Sequence, residues 1–122
     1  MGIVPGRSTR SLDVMNPRRV HDLMRQNFPP FDTLKMEWVN VDERGGPNIG
    51  LLQSILDRHI SAPEVLVEVH RKLGNLLPTK EVVEFIASNI GKSRIRIADR
   101  AFTSFVVVTS NGVAAGWKAS ER

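Results

Sequence analysis

The chain has 122 residues, a net charge of +4 and no cysteine, so it is sized for one domain with a self-sufficient core. Disulfide frameworks, thiolate metal sites and cysteine nucleophiles are excluded together. With 41% hydrophobic and 25% charged residues it has an ordinary globular composition. No apolar run approaches the roughly 18–20 residues of a membrane span, and Met1 to Arg7 lack a signal-peptide core, so a cytoplasmic protein with no membrane association is expected.

Residues 1–14 contain Gly2, Pro5, Gly6 and the polar run Arg7-Ser-Thr-Arg-Ser11, without hydrophobic period, and read as a flexible basic arm. Asn16-Pro17 then opens a helix: Asn caps with its side-chain oxygen, and Pro suits the first helical position. Val20, Leu23, Met24 and Phe28 line one side, Arg18, Arg19, Asp22 and Arg25 the other, and Pro29-Pro30 ends it. From Thr33 to Val41 a strand is expected, because Leu34, Met36 and Trp38 alternate with Lys35 and Glu37. A second helix spans Asn48 to Ile60, carried by Leu51, Leu52, Ile55, Leu56 and Ile60 at helical spacing.

Ser61-Ala-Pro-Glu64 has the form of a capping box, so a third helix is expected over 64–73, stopped by Gly74. Val65, Val67 and Val69 also alternate as a strand would; the box and the terminal glycine weigh for helix. Pro78-Thr79 starts a fourth helix, ended at Gly91. Arg94 to Ala98 alternates, Phe102 to Thr109 is rich in β-branched and aromatic residues, and Asn111-Gly112 signals a tight hairpin into a last strand, Val113 to Lys118, expected at an edge. The predicted order is α-β-α-α-α-β-β-β: an α+β domain over residues 15–122, with four helices on one face of a mostly antiparallel sheet of about four strands.

Chemistry of the enzymatic kind is sparse. His21, His59 and His70 fall in three different predicted helices without metal-ligand spacing. No serine stands in a nucleophile-elbow context, and Gly45-Gly46-Pro47 matches no phosphate-loop pattern. No catalytic residue, metal ligand or cofactor-binding residue is assigned, and an enzyme is not expected.

Charge distribution is more informative. Residues 1–31 carry +3, residues 32–69 carry −4 and residues 70–122 carry +5; arginine supplies 12 of the 17 basic side chains, which favours planar contacts to phosphate or carboxylate. In Gly91-Lys-Ser-Arg-Ile-Arg-Ile-Ala-Asp-Arg100, strand alternation that buries Ile95 and Ile97 places Arg94 and Arg96 together on the opposite face, flanked by Lys92 and Arg100. Arg71 and Lys72 could join them, and Phe102 or Phe105 could supply a stacking ring. The first helix offers Arg18, Arg19 and Arg25 as a second basic feature. The expected function is a non-catalytic binding module for a polyanion, nucleic acid first, through Lys92, Arg94, Arg96 and Arg100. The alternative is a protein-interaction module docking on an acidic protein surface or by strand addition beside Val113–Lys118.

Overall fold

The helix predicted after Asn16 forms as α1 (Pro17–Asn27). Asn16 Oδ1 accepts from the Arg19 amide at 2.8 Å, and Pro17 opens the first turn. The computed structural model describes residues 16–29, 37–43, 46–70 and 73–119. The arm expected over 1–14, the start of the strand expected at Thr33, and Arg71 and Lys72 lie outside the described residues. Chain order continues with β1 (Val39–Asn40), β2 (Asp42–Glu43), β3 (Gly46–Pro47), α2 (Ile49–His59), β4 (Glu64–His70) and β5 (Leu73–Pro78). It closes with α3 (Thr79–Asn89), β6 (Ile95–Asp99), β7 (Ser104–Val108) and β8 (Val113–Lys118).

Four expectations about the fold are overturned. The described residues form three helices and a six-stranded antiparallel sheet, in the order β1-β8-β7-β6-β4-β5, rather than four helices on about four strands. The segment 64–73, expected as a helix, is instead β4 and the turn into β5. Val65 to Val69 are all buried, because the sheet is covered on both faces, and a strand buried on both faces loses its alternation. The apparent capping box serves another element: the Ala62 and Pro63 carbonyls accept from the Thr79 hydroxyl and amide at the start of α3. Gly74 does not stop a helix. It lies in β5, where an added Cβ would stand 3.1–3.2 Å from Val20, so its bareness lets α1 approach the sheet.

The helices do not share one face either. Val20 and Met24 of α1 pack with Leu66, Ala98, Phe105, Val107 and Trp117 on one face. Leu52 and Leu56 of α2 and Val82, Val83 and Ile86 of α3 pack with Val65, Val67, Ile95, Ile97, Val106 and Val108 on the other. Each fully buried aliphatic side chain contributes about 1.5–3 kcal/mol. On the α2 side, Gly116 of β8 lets the His59 ring come within 2.5 Å of where a Cβ would stand.

The last strand is not the sheet's edge: β1 pairs with it at Val39–Ala114 and Asn40–Val113. The Asn111-Gly112 signal does mark the β7–β8 hairpin. Its loop is longer than a two-residue turn, with the Gly112 amide bonded to the Thr109 carbonyl and only Gly112 of the pair at positive φ, the form that ends in a bulge glycine.

Candidate functional site

Antiparallel register sets two transverse rows beneath α1. One runs Gly74, Glu68, Arg96, Val107, Ala115, and the next runs Leu76, Leu66, Ala98, Phe105, Trp117. The second row is apolar and aromatic: Phe105 stacks on Trp117 at 5.3 Å, and Phe28 meets both edge-on at 5.2 and 5.6 Å. The first row contains two opposite charges side by side.

Glu68 is only 4% exposed, and an ionised carboxylate at that depth requires partners. Its Oε1 accepts from Arg96 Nε at 2.7 Å and lies 2.6 Å from Arg96 Nη2, while its Oε2 lies 2.5 Å from His21 Nδ1. Three elements, α1, β4 and β6, thus meet at one carboxylate. The Arg96 guanidinium also lies 5.6 Å from the Phe28 ring centre, within cation–π range. Removing one member of such a buried group costs about 3–5 kcal/mol, because a charge is left without its partner.

The structure separates the four predicted binding residues. Ile95 and Ile97 are buried on one face of β6 and Arg96 lies on the opposite face, as alternation requires. That face lies under α1, and Arg96 is 14% exposed and bound to Glu68. Arg94 is exposed just before β6, and exposed Lys92, in the preceding turn, reaches Asn89 Oδ1 at 3.4 Å. Arg100 lies past the other end of β6, roughly 20 Å from Arg94 along extended chain, where it pairs weakly with Glu64 at 3.9 Å. Phe105, one candidate stacking ring, is buried, and Phe102 is half-buried in the turn after β6 at φ 56°.

In place of that line, the fold assembles a different cationic group. Arg18 and Arg25 stand three residues before and four after His21, so the three share a side of α1. The contact of His21 with Glu68 fixes which side this is: the one leaning over the Glu68–Arg96 row. Arg94 is exposed and lies two residues before Arg96 in the chain. Arg18 has no ion pair with a described residue, and Arg25, 69% exposed, reaches only Asp22 at 3.8 Å. The first turn of α1 contains two arginines and no acid, against the preference of a helix N-terminus for negative charge.

Glu68 and His21 are the members that the sequence did not disclose as a pair. The available signal was Glu68 itself, a lone acid inside Val65-Leu-Val-Glu-Val69. Reading that run as a buried strand would have demanded a cationic partner for it. Elsewhere, an open groove of about 290 Å³ at the end of α1 is lined by Gln26, Asn27, Phe28, Pro29, Phe102, Phe105 and Ala119, none of them ionisable. Among the described residues, no group of three histidine or carboxylate side chains could hold a metal, and no helix is long and apolar enough to cross a membrane. No family model, curated protein or solved structure matches the chain.

Proposed function

We propose that this protein is a non-catalytic binding module for a polyanion, with single-stranded nucleic acid as the first ligand class. Its contact surface is the side of α1 bearing Arg18 and Arg25, continued by Arg94 and Lys92 at the start of β6. The observation that carries this reading is the concentration of exposed arginine there, while the nearest acid in the sheet, Glu68, is buried and already engaged by Arg96 and His21. Guanidinium groups suit phosphate because they donate in a planar fork. The two arginines in the first turn of α1 add to the positive end of the helix dipole, a local cost to the helix that an anionic ligand would offset. Arg96 serves this surface from beneath as a support, and Arg100 stands apart from it.

Binding of a labelled single-stranded oligonucleotide across a salt series tests the reading. Wild type should show an affinity that falls steeply with salt. Arg18→Glu/Arg25→Glu/Arg94→Glu should weaken binding and flatten the slope by about 2, at about 0.7 per lost phosphate contact. Absence of wild-type binding at low salt would refute the reading.

A protein partner is the second reading, favoured by two large apolar side chains at the opposite edge of the sheet. Trp38, just before β1, is 39% exposed, and Ile49, at the start of α2, is 49% exposed. Retention of a partner by the triple arginine variant, with loss on Ile49→Asp, would favour it.

A further inference from the structure

We infer that His21 is a phosphate ligand of the cationic surface and that anion binding there is coupled to proton uptake by its ring. This inference rests on the polyanion reading and adds the chemistry of one subsite to it.

An ionised carboxylate only accepts hydrogen bonds, so the 2.5 Å contact between Glu68 Oε2 and His21 Nδ1 places a hydrogen on Nδ1. In the neutral ring, Nε2 is then left as a lone-pair acceptor. No described residue bonds to Nε2, and the side chain is 26% exposed, so solvent reaches the ring. A lone pair repels a phosphate oxygen, whereas a protonated Nε2 donates to it with a full positive charge nearby. Only the protonated ring can therefore act as an anion ligand.

The surroundings determine what that proton does. From β4, Glu68 faces His21, and from β6, Arg96 neutralises the same carboxylate. With neutral His21 the three groups sum to zero, and with His21 protonated they sum to +1. On α1 itself Arg18, Asp22 and Arg25 lie within about one turn of His21 on either side, and exposed Arg94 lies two residues before Arg96 in the chain. The added charge thus appears between the arginines of the proposed surface. Because the fold fixes Nδ1 as the inward donor, protonation leaves the Glu68 contact in place and changes only the outward atom.

The test is the affinity of a labelled single-stranded oligonucleotide measured from about pH 5.5 to about pH 8, at constant ionic strength. Calorimetry in two buffers of different ionisation enthalpy would count the protons taken up. Wild type should bind roughly twofold to fivefold more tightly at the acid end, the effect of one partly exposed ion pair, with a net uptake of a fraction of a proton, about 0.2–0.4 at its maximum, as linkage requires of a change of that size. His21→Asn keeps an amide donor near the Nδ1 position for Glu68 and removes the Nε2 position. It should retain the fold by circular dichroism and bind with no pH dependence over this range. Wild-type binding that is indifferent to pH, or a pH dependence that survives in His21→Asn, would overturn the inference and leave the arginine surface standing. No binding at any pH would overturn both.

Discussion

The two faces of the sheet are built from different materials. The face under α2 and α3 is an aliphatic layer in which Val67, Ile95, Ile97, Val106 and Val108 meet Leu52, Leu56, Val82 and Ile86. The face under α1 combines four aromatic rings, an arginine, a histidine and a buried glutamate. Apolar packing suffices to hold helices on a sheet, as the first face demonstrates. The buried charge of the second therefore calls for a reason other than stability, since a buried ion pair offers little net gain over apolar groups of the same volume. The arrangement does two things that an aliphatic face cannot: it fixes the rotation of α1 over the sheet, and it holds Arg96 and His21 among exposed arginines.

Substitutions should separate the faces by mechanism. The largest loss is expected for Glu68→Ala, about 3–5 kcal/mol by chemical denaturation, because Arg96 is left largely covered and without its carboxylate partner. Replacing His21, Glu68 and Arg96 together by Leu, Met and Met should restore most of that stability, since no charge remains stranded. A triple variant as unstable as the single one would refute the view that the loss comes from an orphaned charge. Next is Gly116→Ala on the opposite face, where the new methyl would meet the His59 ring; about 1–3 kcal/mol is expected from overpacking, read as a lower Tm. Ile97→Val in the aliphatic layer should cost about 0.5–1.5 kcal/mol, without effect on anion binding. Smallest is Arg100→Ala, whose contact to Glu64 is long and exposed, at no more than about 0.5–1 kcal/mol.

The same contrast explains what could be read before the fold was known. Helices α1, α2 and α3 carry their apolar stripes and starts in the chain itself: Asn16-Pro17 for the first, Asn48 for the second, Pro78-Thr79 for the third. Alternation in β6 sets buried Ile95 and Ile97 against Arg96. The failure at 64–73 has the opposite cause. With both faces covered, Val65-Leu-Val-Glu-Val69 has no polar side, so local pattern could not separate strand from helix. A capping-like Ser-x-x-Glu then tipped the balance toward helix, although the Ala62 and Pro63 carbonyls hold the start of α3. That one error concealed the acid of the His21–Glu68–Arg96 group, and with it the fact that the outer face of β6 is roofed by α1. Pairing between residues 47 positions apart in the chain has no local signature.

The most direct test of the central claim is backbone amide NMR during titration with a short single-stranded oligonucleotide. Shifts concentrated on Arg18 to Arg25 and Lys92 to Arg96, with α2 and α3 unmoved, are the predicted result. Shifts centred on β1 and the start of α2, or a surface left unperturbed at low salt, would contradict it.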